Sequence, residues 1–365
     1  MISSPFPPQP APGTRDLRGF SLTRLSFADL ADFRQDDHLE AFQVFAQSCA
    51  AIAANVALPR KAVSASAALK AIAHAALRQE MRDPAQARRF FERHFRPCRV
   101  SGCAGASKAG FLTGYYEPMV DGSLTRTSDF TAPVRGRPGN LDAFARIPDR
   151  AAIEAGALDG HAAPLVWLRD FVEVFLVQVQ GCARIRLQDG KLLRLRYAGR
   201  NGHPYTSIGR ILIETREIAE RAMSLAALKH WIRAHGQNPG DAGAALMHCN
   251  KSYVFFSIRD ECAPDRGPFG GQGVSLTALR SIAVDRAIWS YGLPFWIAAE
   301  LPWRGSTSSP FRRLMIAQDT GSAIVGPARA DIFFGSGDDA GARAGDIRHA
   351  GDVIVLLPAG EAPNP

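Results

Sequence analysis

Residues 312 to 345 read Arg-Arg-Leu-Met-Ile-Ala-Gln-Asp-Thr-Gly-Ser-Ala-Ile-Val-Gly-Pro-Ala-Arg-Ala-Asp-Ile-Phe-Phe-Gly-Ser-Gly-Asp-Asp-Ala-Gly-Ala-Arg-Ala-Gly. Two carboxylates here, Asp319 and Asp331, each follow an apolar or small-residue run and precede glycine-rich backbone, the pattern of strands giving way to turns. A carboxyl group so placed suits acid–base chemistry when burial or a neighbouring negative charge penalises its ionisation. The flanks of the two differ. Asp331, between Ala330 and Ile332-Phe333-Phe334, has the apolar surroundings of an acid held protonated, whereas Asp319, before Thr320-Gly321, reads as a turn former bonding its own backbone. For either, an Asx turn or strand-end cap is the plainer role.

Outward from this stretch, the last third of the chain alternates short apolar runs (253 to 258, 282 to 284, 295 to 298, 314 to 317 and 353 to 357) with glycine and proline turns, which predicts a barrel or sandwich. The N-terminal part is helical. Leu39, Phe42, Phe45, Cys49 and Ile52 recur at helix spacing, a second run covers 64 to 81, and Asp83-Pro84 caps a third helix carrying Phe90, Phe91 and Phe95. Residues 1 to 14, rich in proline, read as a disordered lead-in.

In the middle, 111 to 118 (Phe-Leu-Thr-Gly-Tyr-Tyr-Glu-Pro) turns to strand, and the polar, Pro- and Gly-rich 123 to 140 reads as a crossing between domains. Residues 172 to 180 predict another strand. Asp189-Gly190, between alternating apolar and polar residues, predicts a hairpin with a tight primed turn. Thr206 or Ser207 then caps a helix through Ile211 and Leu212, with helix resuming through Leu228, Trp231 and Ile232 to stop at Gly236.

A chain of 365 residues exceeds what one core usually organises, so two domains are expected. With 46% hydrophobic and 21% charged residues it is an ordinary globular composition. The formal charge of +8 favours anionic partners, nucleic acid and bacterial cell wall alike. There is no phosphate-binding G-x-x-x-x-G-K-[ST], Gly270-Gly271-Gln272-Gly273 lacks the context of a dinucleotide site, and Tyr115-Tyr116 is not embedded in an RNA-recognition motif, so nucleic acid is not the expected partner. The small-apolar run at 46 to 58 falls short of a membrane span, and no signal peptide is visible at the start. Six cysteines show no zinc spacing; Cys98/Cys103 and Cys249/Cys262 are close enough to pair, and buried thiols are the alternative.

Two further constellations stand out. The loop at 201 to 209 (Asn-Gly-His-Pro-Tyr-Thr-Ser-Ile-Gly) feeds a helix N-terminus with amides and hydroxyls suited to an anionic or hydroxyl-rich ligand, or simply to a capped loop. Cys182 and His203 supply a thiol and a base, although Cys182 in a Gly-Cys-Ala turn fits a small buried residue better.

Taken together, 111 to 118, Gln178-Val-Gln-Gly181, 197 to 209, Ser252-Tyr-Val-Phe-Phe256, Ala283-Val-Asp-Arg286, 317 to 324 and Asp331-Ile-Phe-Phe-Gly-Ser-Gly337 resemble, in order, the membrane-bound lytic transglycosylase A (MltA) family. The resemblance implies a mainly β fold with N-terminal helices: a double-psi β-barrel, akin to barwin and endoglucanase V, with an inserted second β-rich domain. On this chain the barrel takes 15 to 120 and 250 to 365 and the insert 121 to 249. The C-terminal three-aspartate (3D) region then comprises Asp285, Asp319 and Asp331, with Asp331 at the catalytic position and the other two in support.

The implied reaction cleaves the β-1,4 bond between N-acetylmuramic acid and N-acetylglucosamine in peptidoglycan and closes a 1,6-anhydro ring, one aspartate acting as acid and then as base. Thr113, Tyr115, Tyr116, Gln178, Gln180, Asn201, Tyr205 and Ser207 would bind the glycan in a groove between the domains. No metal or cofactor is implied. The partners would be glycan strands, with other wall-remodelling enzymes as further candidates, and the location periplasmic with outer-membrane association. Glu117 adds a competing acid, and Asp331 working with Glu117 or Asp319 would make a two-carboxylate hydrolase. A barwin- or expansin-like wall-binding protein without catalysis is the other alternative.

Overall fold

The computed structural model describes residues 14–17, 19–102, 109–139, 147–259 and 266–363. The expected lead-in lies outside these residues except for Thr14, which already begins a strand. In chain order the elements open with β1 (Thr14–Leu17), β2 (Phe20–Arg24), α1 (His38–Ala53), α2 (Ala67–Leu77), α3 (Pro84–His94), β3 (Phe95–Gly102) and β4 (Gly110–Glu117). The three helices start where their caps stand: Asp37, Ser66 and Asp83 each accept from backbone N–H groups of the first turn. There follow β5 (Met119–Asp121), β6 (Ala132–Arg135), α4 (Arg150–Glu154), β7 (Pro164–Leu168), α5 (Phe171–Gln180), β8 (Cys182–Arg186), β9 (Leu192–Arg200), α6 (Ile208–Glu214), α7 (Leu225–Ala234), α8 (Ala242–Cys249) and β10 (Val254–Arg259). The chain closes with β11 (Ser281–Val284), β12 (Pro294–Leu301), β13 (Ser309–Asp319), β14 (Arg329–Ser336), α9 (Asp338–Gly345) and β15 (Arg348–Pro358).

Two compact units emerge: Met1–Gly114 with Phe269–Phe333 and Ile347–Pro365, and Tyr115–Pro268 with Phe334–Asp346. In the first, strands run in the order β15-β12-β13-β11-β14-β4, and β4 pairs back onto β15, closing a six-stranded barrel that β3, β2 and β1 extend. Both faces of its sheet are apolar and covered, with Phe295, Met315 and Val355 on one face and Trp296 and Leu314 on the other all withdrawn from water. Helices α1 and α3 bring Phe42, Phe45, Phe90 and Phe91 into one edge-to-face cluster with Phe95. A buried polar network fixes α1 to the barrel: Ser48 Oγ donates to Gln272 Oε1 (2.8 Å), Gln318 Nε2 donates to Ser48 Oγ (2.9 Å), and Ser281 Oγ donates to Gln318 Oε1 (2.6 Å). At the other end of α1, Arg280 is clamped by Asp36 at 2.8 and 3.0 Å and by Glu40 at 2.7 Å.

The second unit holds a four-stranded sheet, β10-β9-β8-β5, and the β6–β7 pair. Three local readings change here. Residues 172 to 180 form helix α5 instead of a strand. Val174 and Val177 face the sheet core while Val172, Phe175 and Leu176 face the helices α6 to α8, so apolar residues occur all round. A helix buried on two sides has lost the periodicity that would separate it from a buried strand. The decisive signals are its ends: Asp170 accepts from Glu173 N at 2.9 Å, and Gly181 takes φ +76° at the C-terminal stop. The β8–β9 hairpin turns through three residues, Gln188 to Gly190, with Leu187 N bonded to Lys191 O and Gly190 at φ +83°, so the turn is not the two-residue primed form. The proline-rich segment at 123 to 140 contains β6, paired antiparallel with β7.

Cys49, Cys98, Cys182 and Cys249 are free thiols, and Cys103 and Cys262 lie outside the described residues. Among the described residues no helix is long and apolar enough to cross a membrane.

Candidate active site

The barrel register assembles the three aspartates. On β11, Ala283 pairs with Asp319 of β13 on one side and with Asp331 of β14 on the other. The β11–β13 register shifts between Ile282 and Ala283, so Asp319 and Asp331 flank one residue of β11, about 10 Å apart at the Cα atoms, two strand spacings. Asp285, two residues further on, leaves the strand into a turn.

Their engagements differ. Asp285 is buried and spent on backbone: its carboxylate accepts from Ala287 N at 2.9 Å and from Gly326 N at 2.7 Å, tying two loops together. Asp319, at the end of β13, accepts from Gly271 N at 2.7 Å and lies 3.5 Å from Arg60 Nη1. Arg60 also donates to Thr320 O, and its own carbonyl accepts from Tyr291 Oη at 3.2 Å. Asp319 thus holds the glycine loop at 270 to 273 against the strand end, and does not bond its own turn as its sequence suggested.

Asp331 lies inside β14, not at its end as its flanks suggested. The residue is half-buried, and Thr113 Oγ1 donates a short hydrogen bond to Oδ1. Thr113 is the one hydrogen-bond partner of that carboxyl among the described residues. Burial pushes the Asp331 pKa above the usual carboxylate value, and the charge of Asp319 adds to this; Arg329 and the Thr113 hydrogen bond pull the other way. Arg329 is a member that sequence reasoning passed over: its Nη2 donates to Thr113 Oγ1 at 2.6 Å. A signal existed, because residues i and i+2 of a strand share a face, and Arg329 stands two before Asp331.

In the second unit the expected glycan-binding residues divide. Tyr115, Tyr116, Gln178 and Asn201 are buried. Asn201 serves as a loop clamp, its amide donating to Pro148 O at 3.0 Å and Lys251 O at 2.9 Å while its oxygen accepts from Tyr253 N at 2.9 Å. Gln178, on α5, is enclosed, and neither atom of its amide meets a hydrogen-bond partner among the described residues. Gln180 Oε1 accepts from Tyr116 N at 3.2 Å, and burial pushes the Tyr116 phenol up to about 12, so it stays a neutral hydroxyl. Gln180, Tyr205 and Ser207 keep exposure, Ser207 also capping α6.

The competing groups are otherwise occupied. Glu117 is fully enclosed and accepts from Arg184 Nε at 2.8 Å, Arg194 Nε at 2.7 Å and Ser336 Oγ at 2.7 Å. His203 Nε2 is bonded to Ile147 O at 2.9 Å, and Cys182 Sγ is directed at Gln180 O.

The MltA specific insert domain matches residues 111–257 and the 3D domain matches residues 280–357. The membrane-bound lytic murein transglycosylase A of Escherichia coli K12 is 37% identical over 258 residues, covering 69% of this chain and 67% of that protein. Among solved structures, a membrane-bound lytic murein transglycosylase from Agrobacterium tumefaciens superimposes with a TM-score of 0.81 at 35% identity, covering 92% of this chain and 97% of the other. E. coli MltA with bound chitohexaose gives a TM-score of 0.62 at 32% identity over 76% of this chain and 79% of the other.

Proposed function

Because the chain belongs to the membrane-bound lytic murein transglycosylase A family, we propose that Asp331 performs its chemistry alone, as acid and then as base. The protein is a lytic transglycosylase of peptidoglycan. The observation that carries the Asp331 assignment is the contrast within the aspartate trio: Asp285 and Asp319 accept from backbone N–H groups, while Asp331 has one hydroxyl partner and a raised pKa.

A carboxyl group kept protonated by burial donates its proton to the glycosidic oxygen as the bond from that oxygen to the muramoyl C1 breaks. The N-acetylglucosamine side leaves with a free C4 hydroxyl. The Asp331 carboxylate then takes the proton of the muramoyl C6 hydroxyl, whose oxygen closes on C1. The proton count returns to its start and no water is consumed, so one carboxylate suffices where a hydrolase uses two. Glu117, whose oxygens are taken by two arginines and a serine, is unsuited to be a second acid or base.

Gln180, Tyr205 and Ser207, which keep exposed polar groups, are the insert residues best placed to hydrogen-bond sugars; Tyr115, Tyr116, Gln178 and Asn201 support them from within. The parallel β11–β13 pair supports reading the closed barrel as double-psi, and the matched segments support an insert near 121 to 249. The substrate supports a periplasmic location, with outer-membrane attachment as the finer reading. Digestion of purified sacculi, followed by mass spectrometry, tests the assignment: 1,6-anhydro-muropeptides are expected from the native protein and none from Asp331→Asn, whereas full activity of that variant removes Asp331 from the chemistry.

A further inference from the structure

Arg329 departs from the usual place of an arginine in a strand. Its side chain is not extended into solvent: Nη2 donates to Thr113 Oγ1 at 2.6 Å, Nη1 donates to Ala330 O at 2.7 Å and lies 3.4 Å from Phe111 O, and the guanidinium sits 5.1 Å from the Phe111 ring centroid. Phe111, nearly half exposed at 48%, covers it from the outside.

The Thr113 hydroxyl stands between a guanidinium and a carboxyl. Guanidinium N–H groups only donate, so the Thr113 oxygen accepts from Arg329. Its single proton is donated to Asp331 Oδ1. An oxygen that accepts from Thr113 is the carbonyl-like oxygen of the neutral acid, which leaves the acidic proton on Oδ2, and Oδ2 has no hydrogen-bond partner among the described residues. We infer that Arg329 is a positioning residue of the reaction: by orienting the Thr113 hydroxyl it decides which oxygen of Asp331 carries the catalytic proton, and so aims that proton outward at substrate. This rests on Asp331 being the acid.

The same relay serves the second half of the reaction. Once Oδ2 has given up its proton, the Thr113 hydrogen bond and the nearby cation hold the carboxylate in place, with Oδ2 facing the hydroxyl from which it takes a proton. The charged groups acting on Asp331 are Arg329 on its own strand and Asp319 on β13. From β15, Arg348 is the register partner of Thr113, and its side chain is exposed.

The test is the pH dependence of turnover on soluble glycan strands for Arg329→Met, Arg329→Lys, Thr113→Val and the Arg329→Met/Thr113→Val pair. Arg329→Met is expected to lower kcat about ten- to a hundredfold, the size of one charge-assisted hydrogen bond, with KM little changed. Its alkaline limb moves to higher pH, because the cation that favoured ionisation of Asp331 is gone. Arg329→Lys, which still donates, restores most of the rate and returns the limb. Thr113→Val loses a similar factor, and adding Arg329→Met to it costs little more, since the two act through one hydroxyl. Additive losses, an unmoved limb or a lysine variant as poor as methionine would overturn the relay. Asp331→Asn measured alongside separates the two readings. Full activity there removes the acid assignment, whereas an inactive Asp331→Asn beside an unaffected Arg329→Met removes only the role of Arg329. Thermal melts of each variant identify any loss that is due to unfolding.

Discussion

Glu117 in the second unit and Asp331 in the first are both strand carboxyl groups withdrawn from water, and they are accommodated in opposite ways. The two oxygens of Glu117 meet two buried guanidinium groups and a serine hydroxyl, and Arg184 and Arg194 go on to donate to Arg266 O at 2.9 and 2.6 Å. Asp331 meets one hydroxyl, with its cation held one residue away behind that hydroxyl. A buried charge surrounded by opposite charge does structural work. A buried carboxyl with too little compensation keeps its proton and can trade it. Burial alone therefore does not mark a catalytic acid; the number and sign of the partners do.

The sharpest test of that contrast is Asp331→Asn, which keeps the shape and the Thr113 bond but has no proton to give. Release of anhydro-products is expected to fall by about 10²–10⁴-fold, as for loss of a general acid, with the circular dichroism spectrum unchanged. Glu117→Gln should do the reverse. It leaves two guanidinium groups buried without their counter-charge, and denaturant unfolding should show a loss of about 3–5 kcal/mol, with turnover per folded molecule preserved. A stable Glu117→Gln protein that has lost turnover would place Glu117 in the chemistry and break the comparison.

A smaller effect separates the two by pH. The folded-state pKa of Asp331 is raised, so the native state holds that proton more tightly than the unfolded chain does; the resulting stability is full below the ordinary carboxylate value and is lost as pH rises through the raised one. Asp331→Asn removes this dependence, and its melting temperature relative to the native protein should rise across that window. Parallel melting curves across it would contradict the raised pKa. Smallest is Asp319→Asn. Its charge helps to hold Asp331 protonated, so the alkaline limb of the rate profile should move to lower pH, by less than Arg329→Met moves it upward, because Asp319 is the weaker of the two influences.

Much of the barrel was legible in the sequence because its strands are short apolar runs bounded by glycine and proline, and Asp83-Pro84 announces its helix. Helix α5 was not, since burial on both sides erased its periodicity and only Asp170 and Gly181 remained to mark it. The insert residues read as ligand groups from their amides and hydroxyls turned out to serve the fold in part. Asn201 and Gln178 look alike in sequence to Gln180, but which amide faces a neighbouring loop and which faces water depends on packing that spacing does not encode. Arg329 was readable by its place two before Asp331, yet nothing local says that the residue between them in space is Thr113, more than two hundred positions away.

By itself, the order of motifs from Phe111 to Gly337 determined the family and singled out Asp331, because apolar flanks and glycine turns act through local chemistry that survives in one dimension. Only the tertiary structure decided the unequal state of the carboxylates. Ala283 pairs with both Asp319 and Asp331, backbone N–H groups engage Asp285 and Asp319, two arginines saturate Glu117, and Thr113 with Arg329 leaves Asp331 a proton to give. Protonation depends on what surrounds a group in space, and residues far apart in the chain supply those surroundings.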